Sequence, residues 1–247
     1  MYLLGDIGNT DIKICLFNKQ KKLIKKIKFE TNLLTNNLLV KKLSFIRLKK
    51  YDVQKVIFCS VVPSTYKKIK KILKKNFNLK IVELKDLHLS KIINIKVNKK
   101  QIGSDRLSNA ISVIDNKYNY IIIDFGTATT FDVVIKNDYL GGIISPGVNL
   151  SLKTLVSKAS MIPSIKLKSI NKILGKNTLE AVRSGFYWGY LGLIEKIIQK
   201  IIKRTKKKYK IILTGGLSYL FKKTLPYKMT INRNLTIDGL LKVVDLK

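Results

Sequence analysis

The sequence predicts an α/β protein in which one mixed unit of strands and helices occurs twice, as two packed lobes around a cleft. Two observations carry that prediction. An apolar strand ending in an acid and followed by a Gly/Thr turn opens each half, as Asp6-Ile7-Gly8-Asn9-Thr10 and again as Asp124-Phe125-Gly126-Thr127. A similar order of further strands and helices follows each of them. The halves meet near residue 116, giving lobes of 1–115 and 116–247, and no Pro/Gly/Ser-rich linker separates them.

Tyr2–Ile7 reads as a short buried strand, and Asp11–Phe17 alternates apolar and polar residues as a second. Leu23–Phe29 follows the turn Lys19–Lys22 and completes an antiparallel meander. Leu33–Leu48 has helical spacing. Val56–Val62 is a buried strand stopped by Pro63, and Ser64–Phe77 is a Lys-rich amphipathic helix with Ser64 as its N-cap. Leu79–Leu84 is a further strand. Lys91–Ile102 lacks periodicity and reads as loop or edge, and Ser104 opens a helix through Ile114.

The second half starts with strand Tyr120–Asp124 and continues with strands Thr129–Lys136 and Tyr139–Ser145. Pro146-Gly147 breaks the chain before a helix over Val148–Ser160. Asn177 begins a long helix to about Lys203. Ile211–Leu213 is a strand, Thr214-Gly215-Gly216 a turn, Leu217–Lys223 a helix, and Asn234–Val244 a closing helix.

The chain has 247 residues, 46% of them hydrophobic, enough for a sizeable core and against disorder. No apolar run approaches the roughly 18 residues of a membrane span. Asp6 follows Met1–Leu4 at once, so the opening residues are no secretory segment. Cys15 and Cys59, in apolar strand-like surroundings, predict core thiols in a reduced, cytoplasmic setting. His88, the single histidine, excludes His-rich metal sites and sits in an ordinary surface segment.

The formal net charge is +34, yet only five of the 49 basic residues are arginine. Base and phosphate readout favours the guanidinium fork, and the lysines are scattered along the chain, so specific nucleic-acid binding is not expected. The tracts at 19–22, 67–75 and 203–210 read as solvated faces. Acids number only 15, which makes each acid at the end of an apolar strand informative. Asp6, Asp105, Asp124 and Asp132 stand out.

A strand ending in Asp before a Gly-containing hairpin suits phosphate. Gly8 lets backbone approach it, the N–H groups of Gly8, Asn9 and Thr10 can face it, and Thr10 and Lys13 add a hydroxyl and a cation. Asp6 would meet phosphate through a hydrated Mg²⁺. Thr214-Gly215-Gly216, between a strand and a helix, suits a nucleotide lying on backbone. Walker and GxGxxG patterns are absent. In Gly103-Ser104-Asp105-Arg106 a carboxylate stands beside a guanidinium fork at a helix start, with its pKa expected to be held low. Asp132 reads as a supporting or Mg²⁺ partner. Phe186, Tyr187, Trp188 and Tyr190 read as dimer or core packing.

These stretches, with Gly141–Gly147, Asn177–Gly185, Leu213–Gly216 and Leu235–Leu240, match in order and spacing those of type III pantothenate kinases, and the chain resembles that family over nearly its whole length. The resemblance implies the duplicated ribonuclease H-like, actin-like ATPase fold shared by acetate and sugar kinases and heat-shock chaperones. It implies phosphorylation of pantothenate by ATP, the first step of coenzyme A synthesis, in a cytoplasmic homodimer. By position, Asp105 matches the general base, and Gly103, Ser104 and Arg106 the pantothenate loop. Thr178 matches a pantothenate contact reached across the dimer. Asp6, Ile7, Gly8, Asn9, Thr10, Asp11, Ile12 and Lys13 match the ATP phosphate loop, Thr127 a further ATP contact, and Asp124 the ligand of K⁺ or NH₄⁺.

One stretch departs from the family pattern. Lys96 stands where the family has a pantothenate-contacting Tyr, and Lys99 where it has Pro. Two other readings stay open: a different small-molecule kinase of the same fold, and a nucleic-acid-binding regulator on an inactive kinase scaffold.

Overall fold

The computed structural model describes residues 1–48 and 51–246. They form two compact units, Met1–Ile114 with Asn234–Lys247, and Asp115–Arg233.

In the first unit, strands β1 (Tyr2–Ile7), β2 (Asp11–Phe17), β3 (Leu23–Glu30), β4 (Lys55–Ser60) and β5 (Ile81–Glu83) lie in the order β3-β2-β1-β4-β5. β1 pairs antiparallel with β2 and parallel with β4. The apolar runs are continuous because β1 is covered on both faces. One face carries Leu3, Ile7, Ile12, Ile14 and Phe58 against Leu39 of helix α1 (Asn36–Leu43) and Ile69 and Leu73 of helix α2 (Pro63–Phe77). Each fully buried Leu, Ile or Phe contributes about 1.5–3 kcal/mol. Gly5 lies opposite Phe58, and a Cβ there would overlap the ring.

Two local details differ from the sequence reading. The helix expected over Leu33–Leu48 breaks into α1 flanked by 3-10 turns at Thr31–Leu33 and Ser44–Arg47. Thr35 Oγ1 accepts from Leu38 N–H at 3.1 Å, which starts α1 late, and Ser44 Oγ donates back to Lys41 O at 2.9 Å near its end. Ser64 is not the cap of α2. Pro63 takes the first helical position, where its fixed φ and missing N–H fit, and Val62 precedes it. The apolar face of α2 is buried at Ile69, Ile72 and Leu73 while its lysines stay in solvent, as the charge tract predicted.

The two-residue strand β6 (Asn94–Ile95) leads to helix α3 (Ser104–Val113). In the second unit, β7 (Asn119–Phe125), β8 (Ala128–Ile135), β9 (Asp138–Pro146), β10 (Lys210–Gly215) and β11 (Met229–Ile231) run in the order β11-β10-β7-β8-β9. β7 is antiparallel to β8 and parallel to β10, repeating the relation of β1 to β2 and β4. The duplication in sequence is therefore a duplication of topology. β11, hidden from the sequence reading by its three-residue length, completes it.

Helices α4 (Val148–Lys158), α5 (Thr178–Thr205) and α6 (Ser218–Phe221) belong to this unit. Tyr187, Leu191, Ile194 and Ile198 of α5 pack on Ile121, Ile123 and Phe131.

The sequence reading placed 116–247 together. The structure instead packs helix α7 (Leu235–Lys242) with the first unit, against α3. The reason is a close backbone approach: a Cβ on Gly239 would overlap Ser108 O. Ser108 Oγ donates to Thr236 O at 2.7 Å, and Thr236 Oγ1 donates to Asn109 Oδ1 at 2.9 Å.

Candidate active site

In the first unit, three acids gather where β1, β4 and β5 end and α3 begins. Asp6 lies opposite Lys13 on β2 and Cys59 on β4. Its Oδ2 is 3.6 Å from Lys13 Nζ, and Cys59 Sγ donates to its Oδ1 at 3.7 Å. Burial raises the Asp6 pKa; Lys13 opposes the rise and the charge of Asp105 adds to it.

Asp105 is the second residue of α3. Arg106 N–H donates to its Oδ1 at 2.7 Å. The sequence reading expected Arg106 to hold this carboxyl low. Burial wins instead and raises the Asp105 pKa, against the amide and the guanidinium of Arg106. The reason is that desolvation acts on the whole carboxylate while the guanidinium shares solvent. A carboxylate with a raised pKa accepts a proton more readily than an ordinary one.

Glu83, the last residue of β5, is the third acid and was not singled out from sequence. An acid at an apolar strand's end was the signal used for Asp6, but the expected strand ran on through Leu84 and hid it. Burial raises its pKa too, against a hydrogen bond from Ser104. Burial, then the charges of Asp6, Asp105 and Glu83, push the Cys59 thiol well above its usual range, so it stays a protonated donor.

The Gly8–Thr10 turn differs from expectation in one donor. Gly8 N–H is not directed outward: it closes the hairpin on Asp11 O at 3.0 Å, because a tight turn satisfies its own first amide. Thr31 Oγ1 holds Gly8 O at 2.7 Å. Ile7 and Ile12 are fully buried in the core, so only their backbone faces the turn. Asp11 pairs with Lys28 at 2.9 Å, and Asn9 and Thr10 are exposed.

Lys96 lies in a cavity of about 540 Å³ lined also by His88, Asn94 and Lys99 between apolar walls of Leu87, Leu89, Ile93 and Ile95. The two departures from the family pattern thus share one cavity.

In the second unit, Asp124 is the next-to-last residue of β7, half-buried, opposite Thr130 on β8 and Thr214 on β10. Thr130 Oγ1 is buried without a hydrogen-bond partner. Asp132, on the same face, is buried and accepts from Tyr139 OH at 2.6 Å. Thr127 is exposed in the turn, and Gly147 lets its backbone contact Thr127 O, where any Cβ would overlap. Gly215 has φ 84°, which glycine alone adopts freely, and Gly216 N–H donates to Phe125 O at 3.2 Å. Thr178 is the exposed first residue of α5, behind an Asn177 cap whose Oδ1 accepts from Glu180 N–H at 2.9 Å. Among the described residues no three or more His, Cys, Asp and Glu side chains converge as a metal-ligand set.

A family model described as type III pantothenate kinase matches residues 2–200. The chain belongs to the type III pantothenate kinase family. It is 53% identical over 246 residues to the type III pantothenate kinase of Pelagibacter ubique (strain HTCC1062), covering 100% of this chain and 99% of that one. It is 36% identical over 255 residues to that of Finegoldia magna (strain ATCC 29328 / DSM 20472 / WAL 2508), covering 99% and 97%.

Among solved structures the chain is similar to a conserved putative Baf family transcriptional activator from Campylobacter jejuni, with TM-score 0.62, 18% identity, and coverage of 98% of this chain and 96% of that one. It is also similar to a putative 2-dehydro-3-deoxygalactonokinase from Sinorhizobium meliloti, with TM-score 0.59, 10% identity and 97% coverage of both. At such identities the likeness is one of fold. The type III pantothenate kinase family membership and these neighbours agree on the duplicated, actin-like α/β architecture expected from the sequence.

Proposed function

We propose that this chain transfers the γ-phosphoryl group of ATP to the primary hydroxyl of pantothenate, the first step of coenzyme A synthesis. Membership of the family supports the reaction, and the placement of Asp105 carries its assignment to residues. Asp105 is the general base. The hydroxyl oxygen forms a bond to the γ-phosphorus, the bond to the β–γ bridging oxygen breaks, ADP leaves, and the hydroxyl proton passes to Asp105. An alcohol holds its proton far above neutral pH, so this transfer comes late, as charge moves onto phosphate. Most of the rate comes from positioning and from fixed charge.

Gly103, Ser104 and Arg106 form the substrate loop of the first lobe, with the Arg106 fork suited to a carboxylate. Lys96 and Thr178 are further substrate contacts. The turn Asp6–Lys13 faces the ATP phosphates through Asn9, Thr10 and Lys13, with the Gly8 amide occupied in the hairpin. The second lobe supplies Thr127 and the Thr214–Gly216 turn to the nucleotide.

Asp6 holds Mg²⁺. One carboxylate fits, because Mg²⁺ takes one or two carboxylates plus substrate phosphates, and the bound ion neutralises phosphate charge. Asp124 holds K⁺ or NH₄⁺. The partnerless hydroxyl of Thr130 opposite it supports an oxygen-ligated cation there.

The chain works as a homodimer in the cytoplasm. An apolar groove of about 450 Å³ between α4 and α5, lined by Leu155, Val182, Phe186 and Leu193, supports self-association. No described helix is long and apolar enough to cross a membrane.

The test is a coupled assay of ADP release with pantothenate as sole acceptor, in K⁺ and in NH₄⁺. Pantothenate-dependent ADP release that Asp105→Asn abolishes is the expected result. ADP release with other alcohols but none with pantothenate overturns the substrate.

A further inference from the structure

Helix α3 carries Asp105 and Arg106 in its first turn, yet its own N-cap, Gly103, has no side chain to hold it. The first helical residue, Ser104, is 2% exposed. Its hydroxyl donates to Glu83 Oε1, a side-chain link across 21 residues of chain. The other oxygen of Glu83 accepts from Lys85 N–H at 2.6 Å. One carboxylate thus ties the end of β5 to the start of α3 and also caps the turn that leaves β5. A negative charge is favoured beside a helix N-terminus, where unpaired amides leave a partial positive charge.

A link of this kind is unfavourable as pure architecture. Glu83 adds a third, part-buried carboxylate beside Asp6 and Asp105, all three close enough to Cys59 to raise its thiol, in a chain with only 15 acids. A neutral cap at Gly103, such as Ser or Asn, would hold the helix without partly burying another charge. What a cap at Gly103 cannot do is fix the helix start relative to the sheet, and the sheet carries the Asp6 turn on β1. Through β5, β4 and β1, Glu83 references the base to the phosphate loop.

We infer that Glu83 is a positioning residue for phosphoryl transfer: through Ser104 it sets the direction in which the first turn of α3 presents Asp105 to the acceptor. The inference rests on the proposed role of Asp105. Glu83 touches no reacting atom.

The experiment compares Glu83→Ala, Ser104→Ala, the double variant and Glu83→Gln, by steady-state kinetics with pantothenate and ATP. Amide exchange over Ser104–Leu107 is measured in parallel. A misdirected base lowers kcat by about 10- to 100-fold, and the KM for ATP stays at the wild-type value. The double variant is expected to be no worse than the worse single, since each removes the same bond. Glu83→Gln keeps an acceptor for Ser104 and restores the greater part of kcat. Exchange at 104–107 speeds up in the alanine variants alone.

Unchanged kcat in Glu83→Ala overturns the inference. So does additivity in the double variant, or a Glu83→Gln enzyme as slow as Glu83→Ala. Failure of the underlying reading looks different: wild-type-like turnover by Asp105→Asn removes Asp105 as base, whatever the exchange at 104–107 shows.

Discussion

The carboxylate of Asp105 turns back over Gly103, so that a Cβ on Gly103 would stand 2.5 Å from Asp105 Oδ1. The obstructed atom is the end of a mobile side chain and no backbone atom lies as near. Gly103→Ala is therefore expected to move the Asp105 carboxylate while leaving the helix in place. Its kcat should fall by about 10-fold or more, with the denaturation midpoint close to wild type. Parallel kinetics and urea unfolding check this, and a stable enzyme with full kcat would contradict the placement of Asp105.

Asp105→Asn should lower turnover by at least about 10²-fold, the range for removing a general base. The same change should raise thermal stability at neutral pH. Burial lifts the folded carboxyl above its ordinary 3.8. Between that value and the folded pKa the unfolded chain binds fewer protons than the native one, so stability falls as pH rises, and the loss is complete above the folded pKa. Asn keeps an oxygen for the Arg106 amide and carries no charge to bury. Thermal melts should show the variant above wild type at pH 7, with the gap closing below pH 3.8.

Gly239→Ala tests the packing of α7 on α3. The added methyl meets the Ser108 carbonyl, a backbone atom within a helix that cannot swing aside. Overpacking of this kind costs about 1–3 kcal/mol. Urea unfolding is expected to show that loss, and Gly239→Ser should be no better, since the Cβ is the obstacle.

Asp124→Asn should remove activation by K⁺ and NH₄⁺ and leave any activity in their absence. Turnover measured across KCl, with choline chloride holding ionic strength, checks it. Thr130→Val separates a cation contact from a packing role. If the Thr130 hydroxyl meets the ion, the variant needs more K⁺ for half-activation. If it meets nothing, losing an unpaired buried hydroxyl stabilises the protein and leaves the K⁺ curve alone.

Sequence alone determined what depends on neighbours in the chain. Alternation and turn residues marked β1, β2 and β7–β9, Asn177 announced the start of α5, and the recurrence of an Asp-ended strand before a Gly/Thr turn announced the duplication. The Gly103–Arg106 group was legible because a carboxylate and a guanidinium fork are adjacent residues. Tertiary structure alone decided what depends on residues far apart. α7 joined the first unit through Gly239 and Ser108, Glu83 reached Ser104 from another element, and the Gly8 amide turned inward to Asp11. It also reversed the sign at Asp105, because adjacency in sequence reveals the neighbouring charge while desolvation depends on everything packed around the group.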